Sequence, residues 1–508
     1  MQANVTAPHD PPADPASRAA LYMPFDNSYA RDLEGMYARS SPAGSPAPRL
    51  LRLNRNLAEE LGLDADEMSS AAGLAMLAGN AVPALAQPLA QAYAGHQFGG
   101  FSPQLGDGRA LLLGELVDRH GRRRDIALKG SGRTPFSRRG DGRAALGPVL
   151  REYLMGEAMH ALGIPTTRAL AAVATGATVQ RAQILPGAIL TRVAASHLRV
   201  GTFEYIAARG DEVLLRRLAD YAITRHDVAL AGTPAPYLGL LQAVVERQAS
   251  LVARWMGVGF IHGVMNTDNM TLSGETIDYG PCAFIDAYDP KAVFSSIDEH
   301  GRYSFGNQPP IMQWNLSRFA ETLIDLVNPD DSEDAVRQLT NEINAFPAHY
   351  QMLWLKGMRA KLGLFKELPG DLELANDLLS AAQDQGVDYT SLFRAMGAFV
   401  RGNVTSVRAL FADPAGFDAW VDRYLSRTRD EAIPETARAD LMDQVNPIYI
   451  PRNHLVDAAL SAAVAGDMAP FDRLLGLVTA PFKQEAGAED YARPAPSSFG
   501  TFTTYCGT

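Results

Sequence analysis

Two cysteines in 508 residues, Cys282 and Cys506, are too few and too far apart for a zinc cluster or a secreted disulfide framework. Long apolar runs are missing as well. The richest stretches, Ala169–Val179 and Leu455–Ala465, fall short of the roughly 18 residues a membrane span needs, so no span is expected. Nor is there a surplus of positive charge: 46 Lys and Arg against 57 Asp and Glu leave a net −11 and a pI near 5.4. That balance argues against a nucleic-acid partner, and any anion site has to be a local pocket. The start of the chain, MQANVTAPHDPPADPAS, has neither the basic lead nor the apolar segment of a secretory signal, and Asp10 and Asp14 stand where a transit peptide carries arginines. A cytoplasmic address is the expectation. No internal repeat is visible at periods of 20 to 50 residues.

What is present is an ordinary globular composition, 47% hydrophobic and 20% charged, in a chain long enough for two or three packed units. Residues 1–20, rich in Pro, Ala and Asp, read as a frayed lead-in, and the fold is expected to start near Tyr22. The runs ALLLGELV (110–117) and DIALKG (125–130) flank a turn at His120-Gly121, which predicts a hairpin. GPVLREYLMGEAMHALG (147–163) has apolar residues at helical spacing and stops at Gly163 and Pro165. Beyond about residue 210 the pattern turns helical. Leu316, Phe319, Ala320, Leu323, Ile324 and Val327 mark one buried helical face, and Asp330 with Glu333 marks the start of the next helix. MTLSGETIDYG (270–280) reads as a β-like island turning at Ser273-Gly274, and the last twenty or so residues read as a tail.

The order of these parts is that of a protein kinase: a β-rich first half, a lysine ending a strand, a glutamate in the next helix, then a catalytic-type loop and a hairpin ending in Asp-Tyr-Gly. Lys129 ends its strand, where an ammonium can neutralise phosphate oxygens. Glu152, 152 − 129 = 23 residues on, is placed to fix its direction. Taken singly, a surface lysine and a solvated helix glutamate is the commoner situation, and only the ensemble points to a site. HGVMNTDN begins at His262, and a kinase loop of form HRDxxxxN puts its metal-binding Asn seven residues after the His; 262 + 7 is Asn269. Asp278 heads DYG, the place of a metal-binding aspartate, so Asn269 and Asp278 offer two oxygen ligands to a hard cation.

Two departures matter. The kinase base position, two residues after His262, holds Val264, and the nearest carboxylate is Asp268. No GxGxxGxV precedes Lys129; LGDGRALLLGEL, with Gly106, Gly108 and Arg109, stands there instead. Residues 119–143 carry nine Lys or Arg against Asp125 and Asp141, a local +7 that suggests anion binding, with a solvated basic face as the plainer alternative. Arg192 and Arg199 add two guanidinium forks suited to phosphate. The expected fold is therefore α+β, protein-kinase-like and bilobal. Its expected divisions are an N-terminal extension (1–80), a β-rich nucleotide-binding lobe (81–205), a helical lobe (206–430) and a C-terminal extension with the tail (431–508).

At this point the sequence resembles the selenoprotein O family of pseudokinase-like protein adenylyltransferases. The resemblance rests on YAGHQFGGFSPQLGDGRA (93–110), ALKGSGRTPFSRRGDGRA (127–144), LREYLMGEAMHALGIPTTRAL (150–170), HLRVGTFEY (197–205), HGVMNTDNM (262–270), DYGPCAF (278–284) and PRNH (451–454). Eukaryotic members carry selenocysteine third from the end, where this chain has Cys506. The resemblance implies that ATP binds flipped relative to kinases, so that AMP passes to Ser, Thr or Tyr hydroxyls of other proteins and pyrophosphate leaves. It implies that Gly106, Gly108, Arg109, Lys129, Asp141, Gly142, Arg192, Arg199 and Asp278 hold the nucleotide. Asn269 and Asp278 would bind Mg²⁺ or Mn²⁺, Glu152 would orient Lys129, and Asp268 would accept the proton. Use of UTP with manganese is a further implication, and a monomer is expected. Cys282, four residues past Asp278, and Cys506 form a candidate redox pair that would tie the tail over the cleft, against the alternative of two free thiols.

Two rivals stay open on sequence. An authentic kinase transferring the γ-phosphoryl group is disfavoured by Val264 and the missing glycine motif. A non-catalytic nucleotide-binding scaffold is disfavoured by the joint presence of Lys129, Glu152, Asn269 and Asp278. His96 in GHQFG and His454 in PRNH are assigned to packing rather than to metal or acid–base chemistry.

Overall fold

The computed structural model describes residues 21–505. The chain is a mixed α+β fold built on one antiparallel sheet. Its strands are β1 (Tyr37–Arg39), β2 (Arg49–Leu53), β3 (Leu89–Gln91), β6 (Ala110–Val117), β7 (Arg123–Lys129), β8 (Ala144–Ala145), β9 (Arg168–Gln180) and β10 (Ile184–Ala194). A small separate hairpin pairs β4 (Gly95–Gln97) with β5 (Gly100–Ser102). The sheet order is β1-β3-β6-β7-β10-β9-β2, with β8 added against β10. The expected hairpin is β6–β7, and its lysine lies between two neighbours, with Ala110 of β6 and Leu190 of β10 as partners of Lys129.

Strand alternation divides the side chains of β7 between two layers. Ile126 and Leu128 face a layer that includes Leu57, Met68 and Leu77, from the short helices of residues 55–77, and Leu170, Val173 and Ile189 from the same sheet face. Ala127 and Lys129 point the other way, towards the helix Leu146–Ala161. That helix buries Val149, Leu150, Tyr153 and Leu154 against Leu190 and Ala172 of the sheet. It stops where the glycine and proline predicted, with Gly163 at φ +74°.

The second half is helical. Helices Val200–Ala207, Glu212–His226, Pro236–Val258, Gln308–Glu321 and Ser332–Leu362 continue the core that begins under the sheet. A separate apolar cluster, with Leu378, Phe393, Trp420 and Tyr424, knits together the helices from Asp371 to Asp443. No helix among the described residues is long and apolar enough to cross a membrane. Ala169–Val179 lies within β9 and Leu455–Ala465 falls almost wholly within the helix Asn453–Val464.

Three local expectations are corrected. The buried face 316–327 is split, because the Thr322 hydroxyl donates to the Phe319 carbonyl (2.7 Å) and a new turn of helix starts at Ile324. The next helix is capped one residue later than expected, by Asp331, which accepts from the Asp334 amide at 3.0 Å. Residues 270–280 turn at Gly274 but do not pair with each other. Thr271 bridges Arg199 and Thr276 bridges Thr166, so this segment is laced to the sheet half instead. The described part of the tail is anchored: Thr504 bridges Ser295, and its hydroxyl donates to the Pro281 carbonyl at 2.7 Å.

Candidate active site

A cavity of about 680 Å³ lies between the sheet, the helix Leu146–Ala161 and the loops of the helical half. It is lined by Gly106, Gly108, Arg109, Lys129, Asp141, Gly142, Glu152, Arg192, Arg199, Asp268, Asn269 and Asp278. Residues separated by up to 172 positions thus meet at one place.

Lys129 Nζ donates to Glu152 Oε2 at 2.6 Å and to Asp278 Oδ1. Arg192, two residues along β10 from the partner of Lys129, emerges on the same face. Its Nη1 lies 2.8 Å from Asp278 Oδ1 and 3.4 Å from Glu152 Oε1. Arg199 Nη1 reaches Asp278 Oδ2 at 3.2 Å and the Asp268 carbonyl at 2.7 Å, with its plane 4.5 Å from the Tyr93 ring. Three cations therefore converge on one carboxylate. Burial opposes ionisation of Asp278, but Lys129, Arg192 and Arg199 outweigh it and hold the carboxyl well below the usual range. Asp278 itself sits at φ +62°, a strained conformation of the kind that concentrates at functional sites.

The loop that presents Asp268 and Asn269 is held by its own polar contacts. His262 is buried; its Nε2 donates to the Ile277 carbonyl at 2.9 Å, tying the loop to the residue before Asp278. Asn269 Nδ2 donates to the carbonyl of Val264, which leaves the Asn269 oxygen as the free end of the amide. Burial, partly offset by Arg199, pushes the Asp268 carboxyl up to about 6. Its Oδ2 accepts from Gln97 at 3.3 Å, while Oδ1 is buried without a partner among the described residues. An orphaned carboxylate oxygen is costly unless a ligand completes it.

The glycines are explained by geometry. Gly106 has φ +92°, and a Cβ there would fall 2.5 Å from the Phe136 ring. Gly142 has φ +67°, and a Cβ would meet the Gly132 carbonyl at 2.1 Å. At both positions the left-handed backbone and the close neighbour exclude a side chain, and both residues line the cavity. Asp141 is clamped by Arg181 at 2.9 Å. Arg109 and Arg143 line the cavity without an ion pair among the described residues. The +7 segment is thus not one basic face: Arg122, Arg123 and Arg124 are paired with Glu60, Asp26 and Asp118.

Gln97, Arg143, Arg151 and Arg181 were not singled out as site residues on sequence. Arg151 donates to the Gly280 carbonyl at 3.1 Å and to that of Cys282, pinning the start of the segment after DYG to the helix carrying Glu152. The only available signal for Gln97, Arg143 and Arg151 was their place inside the quoted motifs, and Arg181 lies outside all of them. His96 pairs with Glu204, which also accepts from Thr267, and His454 packs on Phe499. No group of His, Cys, Asp and Glu among the described residues forms an all-protein metal cage. Asn269 and Asp278 do fit a cation that takes most of its ligands from phosphate and water, since both line the cavity and each carries a hard oxygen donor. Cys282 is fully buried, with Arg151 at 3.8 Å from its sulfur, and burial pushes its thiol up. Its suggested partner Cys506 lies outside the described residues.

With this geometry in view, relatives of the chain carry the description of a nucleotidyltransferase. Protein nucleotidyltransferase YdiU of Mycobacterium sp. (strain KMS) is 58% identical over 487 residues, covering 96% of this chain and 99% of the relative. The YdiU of Cereibacter sphaeroides (strain KD131 / KCTC 12085) is 60% identical over 486 residues, 95% and 99% of the two chains. That of Rhodopseudomonas palustris (strain BisB18) is 54% identical over 491 residues, 96% and 100% of the two. The family model described as Protein adenylyltransferase SelO matches residues 20–479. The chain belongs to the SelO family of protein adenylyltransferases.

Proposed function

We propose that the cavity binds ATP with Mg²⁺ or Mn²⁺ and transfers AMP to Ser, Thr or Tyr hydroxyls of protein acceptors, within a kinase-like bilobal arrangement divided as 1–80, 81–205, 206–430 and 431–508. The observation that carries this reading is the convergence of Lys129, Arg192 and Arg199 on Asp278, beside the unpartnered Oδ1 of Asp268.

The N–H groups of Lys129, Arg192 and Arg199 are pre-organised in a water-poor site, where donors aimed at phosphate oxygens stabilise developing charge most effectively. Arg109 and Arg143 have no carboxylate partner among the described residues and would take the outer phosphates. Gly106, Gly108 and Gly142 admit the nucleotide close to the backbone, and Arg181 holds Asp141 at the cavity edge. Asn269 and Asp278 would hold the divalent ion, which neutralises phosphate charge. Glu152 keeps Lys129 directed at the cavity.

In the transfer step the acceptor hydroxyl oxygen forms a bond to the α-phosphorus. The bond from that phosphorus to the α–β bridging oxygen breaks, and pyrophosphate leaves with the electron pair. Asp268 takes the hydroxyl proton. With a carboxyl raised to about 6 it is mostly ionised at neutral pH yet a better acceptor than a solvated aspartate. Val264 at the kinase base position supplies no alternative.

The reading is tested by following pyrophosphate release together with protein labelling in wild type and Asp278→Ala. Both signals should fall together, by at least about 100-fold, in the variant. Equal release by the two proteins would contradict an adenylyl transfer that depends on Asp278.

A further inference from the structure

Behind Arg192, on the side away from the cavity, lies a chain of buried polar groups that the reaction does not touch. Arg192 Nε is 3.2 Å from His197 Nε2, His197 Nδ1 is 2.9 Å from Asp125 Oδ2, and Asp125 Oδ1 accepts from Arg225. Asp125, His197 and Arg192 are only 2%, 3% and 2% exposed, so water cannot substitute for any of these contacts.

An arginine Nε–H can only donate, so His197 Nε2 must accept, and the ring proton must then sit on Nδ1. Asp125 enforces that tautomer: the same Oδ2 also accepts the His197 backbone amide at 2.9 Å, which fixes the ring's position. Although burial opposes it, Arg225 and His197 hold the Asp125 carboxyl down to about 2, and burial keeps His197 neutral by lowering its own proton affinity. Asp125 is on the same face of β7 as Lys129, four residues back. The strand that ends in the site lysine therefore also anchors this support.

We propose that His197 is a positioning residue for Arg192, doing for its guanidinium what Glu152 does for the ammonium of Lys129. With Nε fixed by His197 and Nη1 by Asp278 and Glu152, the guanidinium plane is held at two points, and Nη2 is left for a phosphate oxygen. This rests on the reading of Arg192 as a nucleotide contact. It adds that the contact depends on an imidazole acceptor that never meets the substrate.

The test uses the full-length chain and three variants. Leucine at 197 cannot accept a hydrogen bond, so His197→Leu should lower kcat for AMP transfer by about 10- to 100-fold, as misplaced groups do, with a smaller change in KM for ATP. His197→Gln carries an amide oxygen able to reach the Nε2 position, and it should recover most of the loss. Long-range ¹H–¹⁵N NMR of histidine-labelled wild type should show His197 protonated on Nδ1, a readout that holds even if a variant folds poorly. Equal losses in the Leu and Gln variants, or a ring protonated on Nε2, would overturn the proposal. Arg192→Ala separates the two levels. If it retains wild-type turnover, the reading of the site fails; if it loses turnover while His197→Leu does not, only the positioning role fails.

Discussion

Lys361 shows what burial without a counter-charge costs. Its ammonium has no carboxylate partner among the described residues; it lies 4.3 Å from the Phe393 ring, and burial pulls its pKa down to about 7. The unfolded chain holds that proton up to about 10.4. Between these values the unfolded state binds more protons, so stability should rise with pH from about 7 towards 10, and the full penalty applies below 7. Lys361→Met should stabilise the protein at pH 7 by about 2 kcal/mol or more. In urea titrations the gap between variant and wild type should shrink at pH 9.5; a gap independent of pH would contradict the account. In the site, Asp268→Asn keeps shape but cannot take a proton, and kcat should fall by about 10²- to 10⁴-fold with ATP affinity little changed. At this scale the sequence was readable where spacing carries information: Lys129 to Glu152 and His262 to Asn269 are fixed by a strand, a helix and a loop. Gln97, Arg181 and His197 were not, because each is defined by a partner 171, 40 or 72 residues away in sequence.

Among the elements, the loop between β7 and β8 is the least forgiving. Gly132 donates to the Gly142 carbonyl at 3.1 Å, and Ser131 bridges Arg143, so the two arms of the loop run too close for a side chain at 142. Gly142→Ala should cost about 1–3 kcal/mol and weaken ATP binding together, read by thermal unfolding with and without nucleotide. The β6–β7 hairpin and the helix Leu146–Ala161 were legible because their turn and stop signals are local. Strands β1 and β2 were not, since three- and five-residue segments show little alternation and are defined by pairing with β3 and β9, far along the chain. The segment 270–280 was misread for the same reason: its turn signal at Ser273-Gly274 is local, but the partners of Thr271 and Thr276 are Arg199 and Thr166.

For the molecule as a whole, the sheet half, the helical half and the C-terminal segment are joined by buried charge as well as apolar packing. Arg452, with no exposed side-chain surface, pairs with Asp388 and Asp286 and donates to the Ala492 carbonyl at 2.9 Å. Removing it strands two carboxylates, so Arg452→Ala should cost about 3–5 kcal/mol and make the segment after Ala492 more susceptible to protease. The central claim is that all these joints serve to present the α-phosphate of ATP to a protein hydroxyl, and isotope labelling tests it most directly. Incubated with metal and acceptor protein, ATP labelled at the α-phosphorus should transfer its label and ATP labelled at the γ-phosphorus should not; label arriving on protein from the γ position alone would contradict the account.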